Sequence, residues 1–221
     1  MVPIDNQRIA KVLGVLAREA PAWSAPVVTE MAAFGADPYR LLIACLLSLR
    51  TKDTTTGPAA RRLFAVASTP EQMLALSEQE IQKLIFPVGF YRNKAALLRE
   101  VSATLLQRFG GHVPSDLDAL LSIKGIGRKT ANLVITAGFG LPGICVDTHV
   151  HRISNRWGYV ATKTPDDTEM ALRKKLPPQY WIQYNDLLVA LGQTFCHPTS
   201  PKCSTCPIQP ECPRVGVIKS R

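Results

Sequence analysis

Residues 124–132 of the chain read KGIGRKTAN. The two glycines allow backbone conformations that are closed to other residues, so the stretch predicts a tight turn. Apolar residues at helical spacing precede the turn at 116–122, and a second helix is predicted to begin at Arg128 and to end near residue 137. Because the first turn of a helix has backbone N–H groups without intrahelical partners, this hairpin offers an anion site. An ordinary turn between two helices is the alternative interpretation.

Lys129 lies in the first turn of the helix that follows this hairpin. The positive end of the helix dipole and the adjacent Arg128 both disfavour the charged form of its amine. A neutral amine is a nucleophile that forms Schiff bases, so Lys129 is a candidate catalytic residue. A solvated surface lysine is the simpler interpretation of this residue taken alone.

Asp147 follows Lys129 by 18 residues, in the segment VDTH. It directly precedes a predicted helix, at the N-cap position where aspartate is favoured. Capping alone explains an aspartate there. A capping carboxylate is also fixed in direction, so it can stabilise positive charge that develops nearby. His149 and His151 are two residues apart and do not share a helix face, so we predict neither as a ligand.

Charge and hydropathy limit the classes of partner. The 221 residues include 26 Lys and Arg against 17 Asp and Glu, which gives a formal net charge of +9. This excess favours a polyanionic partner, either nucleic acid or an anionic membrane surface, over a merely soluble basic protein. The densest apolar run, LLIACLLSL at 41–49, is far shorter than the roughly 20 residues of a spanning helix. With no signal-like segment at the N-terminus, we expect a cytoplasmic protein with reduced thiols.

Apolar residues recur at three- and four-residue spacing along most of the chain, without sustained two-residue alternation. This periodicity predicts an all-α protein. Ser77 and Glu80 have the form of a capping box for one of its helices. The predicted helices cover 4–20, 38–49, 58–67, 71–76, 78–86, 93–109, 116–122, 128–137, 147–157, 166–175 and 179–195.

After residue 194 the periodicity ends and a cysteine-rich segment begins. Four thiols within 17 residues, in a reducing compartment, are expected to be metal ligands and not disulfides. Structural zinc favours two short Cys pairs, and this segment has one, so all-thiolate ligation of [4Fe–4S] is favoured while zinc stays open. Lys202 and Arg214 make the segment positively charged. Its cysteines, spaced C-x6-C-x2-C-x5-C, are Cys196, Cys203, Cys206 and Cys212.

These features together resemble the endonuclease III family of helix-hairpin-helix-GPD DNA glycosylases. The resemblance rests on LLSIKGIGRKTANLVITAGFG at 120–140, on ICVDTHVHRISNRWG at 144–158 and on the cysteine spacing. The segments LLSLRTKD at 46–53 and VGFYRNKA at 88–95 extend it over nearly the whole chain. The resemblance favours iron–sulfur over zinc.

The resemblance implies two α-helical lobes with DNA in the cleft between them. A six-helix barrel that carries the helix-hairpin-helix would cover residues 31–141. A [4Fe–4S] cluster lobe would combine residues 1–30 with 142–221. The protein would act as a monomer on double-stranded DNA that contains damaged bases or abasic sites.

The implied activity is that of a base-excision-repair DNA glycosylase with AP lyase activity. Such enzymes flip a damaged, here an oxidised, pyrimidine out of the stack. Lys129 would attack C1′ of its sugar and displace the base, and the Schiff base would permit β-elimination. Asp147 would stabilise positive charge at the sugar. Lys202 would make a further contact with the DNA. The hairpin residues would hold a backbone phosphate: Lys124, Gly125, Ile126, Gly127 and Arg128.

Some residues depart from the family pattern. Lys124 stands where the family usually has Pro, and Leu121 where a Glu is proposed to contact the flipped base. Arg50 stands where Gln is frequent, and Phe90 where Leu is frequent, among the residues that fill the space left by the flipped base. Arg50 is a candidate reader of an opposite guanine, since Arg pairs well with that base.

Two alternatives to this function stay open at the level of sequence. One is a monofunctional mismatch glycosylase in which Lys129 is not the nucleophile. The other is a non-catalytic iron–sulfur protein that binds DNA. Neither the preferred lesion nor the preferred opposite base follows from these residues.

Overall fold

The structure is a computed structural model that describes residues 2–23 and 37–221. Every regular element within these ranges is helical, so the predicted all-α class is confirmed. Short 3₁₀ turns occupy Ala20–Ala22 and Pro178–Tyr180, and a π-helical turn, Val134–Gly138, continues the helix Arg128–Leu133. The α-helices are α1 (Asn6–Glu19), α2 (Pro38–Ser48), α3 (Asp53–Phe64), α4 (Pro70–Ala75), α5 (Glu78–Ile85), α6 (Tyr91–Phe109), α7 (Leu117–Leu121), α8 (Arg128–Leu133), α9 (Thr148–Arg156), α10 (Pro165–Lys175) and α11 (Trp181–Thr194).

Side-chain caps begin several of these helices. The carboxylate of Asp5 accepts hydrogen bonds from the backbone N–H groups of Gln7 and Arg8, as expected for the start of α1. The capping box of Ser77 and Glu80 is present at the start of α5 and is confirmed. These local rules operate within a few residues, which is why the sequence predicts them.

The predicted helix 58–67 is wrong at both ends, because α3 runs from Asp53 to Phe64 with Pro58 inside it. Residues 53–57, DTTTG, carry no apolar periodicity that would predict a helix. Pro58 is tolerated because it removes a single backbone hydrogen bond early in the helix. The Thr56 hydroxyl donates to the carbonyl of Lys52 at 3.2 Å, which supports this first turn.

The chain divides into two compact units, one formed by Thr29–Leu141 and the other by Met1–Val28 with Pro142–Arg221. The predicted boundary between residues 30 and 31 lies outside the described residues. The assignment of the units as a six-helix barrel and a cluster lobe stays a prediction.

Helix α2 lies at the centre of the Thr29–Leu141 unit. Its apolar residues cover every face, and Leu42, Ile43, Leu46 and Leu47 are fully buried. Each such side chain contributes roughly 1.5–3 kcal/mol on burial. Helices α3, α6 and α8 and the π-helical turn pack against α2, so the segment that carries Lys129 rests on this core. Within the described residues, none of the helices has the length and apolar character needed to cross a membrane.

The other unit is built around α9 and α11, with α1 packed on α11. Trp157 and Tyr184 are fully buried there and meet edge to face, with ring centroids 6.4 Å apart. The cysteine-rich segment follows α11 without regular structure. Its Ile208 is 2% exposed and belongs to the same hydrophobic core, and Phe195, Cys196, Cys206 and Cys212 pack against that core.

Candidate active site and metal centre

The hairpin joins α7 to α8 through residues 122–127. Gly125 has a φ of +87°, a conformation that favours glycine, and a Cβ atom there would also displace the side chain of Leu97. Gly127 differs from the prediction, because its φ of −89° is open to any residue. A Cβ at Gly127 would meet nothing within 4 Å, so this glycine leaves open space in front of the N-terminus of α8.

Ile126 anchors the hairpin in the core. Its side chain is 5% exposed, and its N–H donates to the carbonyl of Ile123 at 3.1 Å. Any contact of Ile126 with DNA is therefore restricted to its backbone, while the apolar side chain fixes where the neighbouring N–H groups point. The burial of Ile126 and the hydrogen bond within the turn thus hold the hairpin together.

Lys124 has an ionic partner that sequence reasoning did not foresee. Its amine lies 2.8 Å from the Glu100 carboxylate on α6, and the Lys124 side chain is 79% exposed. An exposed pair of this kind contributes about 0–1 kcal/mol, so a phosphate can replace the carboxylate at small cost.

Lys129 lies at the second position of α8 and is exposed to solvent. The next residues, Thr130, Ala131 and Asn132, are buried, so the helix face that carries Lys129 is fixed towards the outside. The Asn132 side-chain amide donates to the carbonyl of Arg128 at 3.0 Å, within this first turn. Helix α8 then continues into the π-helical turn, a feature that occurs frequently at functional sites.

Asp147 caps α9, and the prediction of its N-cap position is confirmed. One carboxylate oxygen, Oδ1, accepts both hydrogen bonds, from the N–H groups of His149 at 2.8 Å and Val150 at 2.9 Å. The carboxylate is therefore fixed in direction. The His149 ring lies against Gly192 of α11, and its Nδ1 is 3.0 Å from a guanidinium nitrogen of Arg152, which gives this histidine a packing role.

Arg50 and Phe90 lie side by side in the structure, although they are 40 residues apart in the sequence. The Arg50 guanidinium lies over the Phe90 ring, 5.4 Å from its centroid. Both residues have a positive φ, +55° for Arg50 and +59° for Phe90, which costs on the order of 1 kcal/mol or more for each. Strained residues of this kind cluster at functional sites, and the Phe90 side chain is 59% exposed.

Lys94 is a further residue of this region, and sequence reasoning missed it. Its side chain is 6% exposed and contacts the segment of Arg50. Burial lowers the pKa of its amine to about 8. A signal was present in the sequence, because Lys94 shares a helix face with Leu98, Val101 and Leu105 and is the charged member of an apolar row.

The four cysteines of the C-terminal segment line one cavity together with Trp157, Leu191 and Arg214. Burial raises the pKa of the Cys206 thiol to about 12 and also raises that of Cys212, while backbone N–H groups partly oppose both shifts. Buried thiols of this kind ionise only when a cation compensates their charge. Among the residues that the structure describes, no group of three or more His, Cys, Asp or Glu is placed to hold a metal ion.

Two guanidinium groups lie close to these cysteines, and one of them has an unpartnered donor. Arg156 donates to the sulfur of Cys196 at 3.2 Å. The Nε–H of Arg214 is buried and has no hydrogen-bond partner. A buried donor without a partner costs about 1–3 kcal/mol, which an acceptor in the cavity would remove. Lys202, predicted to contact DNA, is exposed at the same segment, and its N–H donates to the carbonyl of Phe195 at 2.9 Å.

Comparisons with known proteins agree with this geometry. Residues 43–178 match the family model of the HhH-GPD superfamily base excision DNA repair proteins. Endonuclease III of Thermotoga maritima is 44% identical over 176 residues, which cover 80% of this chain and 83% of that protein. A solved structure of a trapped covalent intermediate of endonuclease III with DNA has a TM-score of 0.84 and 33% identity, covering 96% of this chain and 97% of that chain. A thermostable thymine-DNA glycosylase matches with a TM-score of 0.72 and 26% identity, covering 81% and 85%.

Proposed function

The chain belongs to the HhH-GPD superfamily of base excision DNA repair proteins, and we propose that Lys129 and Asp147 carry out its reaction. It is a DNA glycosylase with AP lyase activity, of the endonuclease III type, and it binds DNA. The observation that supports Lys129 as the nucleophile is its position. It is exposed at the start of a helix whose following residues are buried, directly after the hairpin.

The proposed reaction begins when the Lys129 amine attacks C1′ of the damaged nucleotide. The bond from C1′ to the base breaks, and the base leaves with the bonding electrons and takes up a proton. The sugar ring opens and C1′ becomes an imine of the lysine. Loss of a proton from C2′ then expels the 3′ phosphate by β-elimination, and water hydrolyses the imine to free the lysine.

Asp147 is proposed to stabilise the positive charge that develops at the sugar. Its cap contacts support this role, because a carboxylate held by two N–H groups keeps its direction without reorganising during the reaction. A neutral asparagine would keep most of the cap but not the charge.

The DNA backbone is proposed to lie against the hairpin. Gly127 leaves room for a phosphate to approach the N-terminus of α8, and Arg128 and Lys124 supply positive charge. Phe90 is proposed to unstack bases as apolar wedges do, and Arg50 to face the base opposite the lesion. The substrates are proposed to be oxidised pyrimidines and abasic sites in duplex DNA, with one protein molecule per site.

A [4Fe–4S] cluster is proposed as the resident cofactor of the cysteine segment. The donor set fits, since four thiols line one cavity that also contains the unpartnered Nε–H of Arg214, and cluster sulfides accept hydrogen bonds. Cys196, Cys203, Cys206 and Cys212 would hold the group. When bound, it supplies ligation free energy that orders a segment with little core of its own. Purified protein is then expected to be brown.

A panel of duplexes tests the substrate class. Each duplex carries thymine glycol, dihydrouracil, uracil opposite guanine, 8-oxoguanine or an abasic site, and both base release and strand cleavage are measured. We expect release and cleavage of the oxidised pyrimidines and cleavage of the abasic strand. Release from a mismatch without cleavage would instead favour the monofunctional alternative, for which the similarity to a thymine-DNA glycosylase is the supporting observation.

A further inference from the structure

Lys94 stands out among the lysines of the described residues because its side chain is buried, at 6% exposure. Its ammonium donates to the carbonyl oxygens of Leu47 and Leu49, each at 2.6 Å, and to the hydroxyl of Thr51 at 3.1 Å. An ammonium has three N–H donors, so these three acceptors use all of them. The acceptors belong to one short stretch of chain, at and just after the end of α2.

The carbonyl groups of Leu47 and Leu49 lie where a helix cannot satisfy its own acceptors. The last carbonyls of an α-helix have no intrahelical donor, and a cation near this end is favoured by the helix dipole. Lys94 reaches this end of α2 from α6. It therefore fixes the direction in which the chain leaves α2, and Arg50 is the residue that comes next.

The Thr51 hydroxyl extends this arrangement to the segment of Phe90. Besides the bond from Lys94, it accepts a hydrogen bond from the N–H of Gly89 at 3.1 Å. The two segments approach so closely that a Cβ atom at Gly89 would lie 2.9 Å from the Arg50 carbonyl oxygen. The Thr51 hydroxyl and the Lys94 ammonium thus join the two segments, and Arg50 and Phe90 stack on each other where the segments meet.

The Arg50–Phe90 stack is a conformation that the two segments would not hold by themselves. Both residues adopt the left-handed region, which non-glycine residues rarely occupy, and Phe90 stays 59% exposed. Such a conformation persists only when surrounding contacts determine it. The contacts that do so here are those of Lys94, Thr51 and Gly89.

We propose that Lys94 is a positioning residue, which holds Arg50 and Phe90 as a preformed pair that enters the duplex opposite the lesion. The proposal rests on the proposed function, because it assigns the pair to DNA. A preformed pair does not have to be ordered on binding, so less of the interaction free energy is lost to conformational entropy. Without the hydrogen bonds from Lys94, Arg50 and Phe90 would have to be ordered into this geometry each time the protein binds DNA.

The test compares Lys94→Met with the wild-type protein and with Lys83→Met. Methionine fills similar space but donates no hydrogen bond. Lys83 is an exposed lysine of α5, so its replacement removes the same charge without touching the pair. The substrates are one abasic strand used alone and the same strand in a duplex, where 2-aminopurine stands opposite the abasic site.

For Lys94→Met we expect kcat/KM on the duplex to fall by about tenfold, mainly through KM, with a change of less than about twofold on the single strand. A single strand has no base opposite the abasic site, so the Arg50–Phe90 pair is not expected to contribute to its binding. The rise in 2-aminopurine fluorescence when protein binds the duplex should also be lost, while Lys83→Met keeps it. Equal losses on both substrates would show a general structural defect and overturn the proposal, as would wild-type behaviour on both.

A double-mutant comparison separates positioning from an independent role. If Lys94 acts through the pair, then Lys94→Met added to Arg50→Ala/Phe90→Ala should weaken duplex binding no further. Additive losses would contradict the proposal. The fluorescence signal depends on binding and does not depend on strand cleavage. A wild-type protein that binds the duplex and gives the signal but cuts no strand would thus contradict the proposed function alone.

Discussion

The hairpin and the Arg50–Phe90 pair are both proposed to contact DNA, but the protein holds them in different ways. The hairpin is fixed by burial, with Ile126 in the core and a glycine at the position that needs a positive φ. The pair stands on segments whose polar contacts involve the buried Lys94 and the Thr51 hydroxyl, and both of its members carry backbone strain. The element proposed to bind phosphate is therefore anchored in the hydrophobic core, whereas the element proposed to enter the duplex is exposed and is held by polar contacts.

Replacement of the apolar anchor should give the largest effect on stability. Ile126→Ala leaves a cavity in the core, so we expect the free energy of unfolding to fall by about 3 kcal/mol. Phe90→Ala removes an exposed ring and should change it by less than about 0.5 kcal/mol. Urea denaturation of the two variants measures this difference. Similar losses in both would show that the pair is a part of the core and would end the distinction between the regions.

The buried Lys94 should make the free energy of unfolding depend on pH. Burial lowers the pKa of Lys94 to about 8, below its ordinary value of 10.5, so between these pH values the unfolded chain binds a proton that the folded protein does not. Relative to Lys94→Met, the wild-type free energy of unfolding should therefore rise between pH 8 and 10.5, by an amount on the order of 2 kcal/mol. Below pH 8 the difference should be flat.

Unfolding curves of both proteins across this range provide the measurement, and subtraction removes the groups that they share. A difference that stays constant from pH 7 to 10.5 would mean that the buried charge costs nothing. We expect such a cost, because the role proposed for the ammonium is to shape the Arg50–Phe90 pair and not to stabilise the fold.

The two glycines of the hairpin should separate stability from DNA binding. Gly125→Ala forces an alanine to a φ of +87° against Leu97, so we expect a loss of about 1–2 kcal/mol in the free energy of unfolding. Gly127→Ala should leave stability within about 0.5 kcal/mol. It should nevertheless weaken duplex binding, since the new methyl group occupies the space in front of α8. Unchanged affinity in Gly127→Ala would show that the phosphate lies elsewhere.

The exposed ion pair of the hairpin should give the smallest effect. Lys124→Ala is expected to weaken binding to all duplexes alike and to lower the slope of log Kd against log salt by about 1. Glu100→Gln removes the competing carboxylate and should tighten binding by no more than about fivefold, because exposed pairs are weak. Salt titrations of both variants on one duplex decide this. Weaker binding in Lys124→Ala with tighter binding in Glu100→Gln would support competition between the Glu100 carboxylate and a DNA phosphate for Lys124. Weaker binding in Glu100→Gln would refute it.

The sequence predicts those features that depend on neighbours within about one helical turn. The hairpin, the cap of Asp147 and the capping box of Ser77 and Glu80 belong to this group, and so does the helical class. Rules of capping and periodicity act over three or four residues, so one chain read alone contains the necessary information.

Features that depend on packing between distant segments could not be predicted in this way. The contact of Arg50 with Phe90 and the role of Lys94 arise because α2 and α6 meet in the folded unit. No local rule places a lysine beneath a segment more than 40 residues earlier in the chain. The start of α3 at Asp53 does not follow from periodicity either, since its first turn has no apolar stripe, although its Thr56 is buried in the folded unit.

Chemical trapping of Lys129 tests the central claim most directly. The protein is incubated with an abasic duplex in the presence of borohydride, which reduces an imine to a stable amine, and the cross-linked peptide is identified by mass spectrometry. We expect a one-to-one covalent complex whose modified residue is Lys129, and no complex and no strand cleavage with Lys129→Met. A cross-link at another residue, or cleavage by Lys129→Met at the wild-type rate, would contradict it.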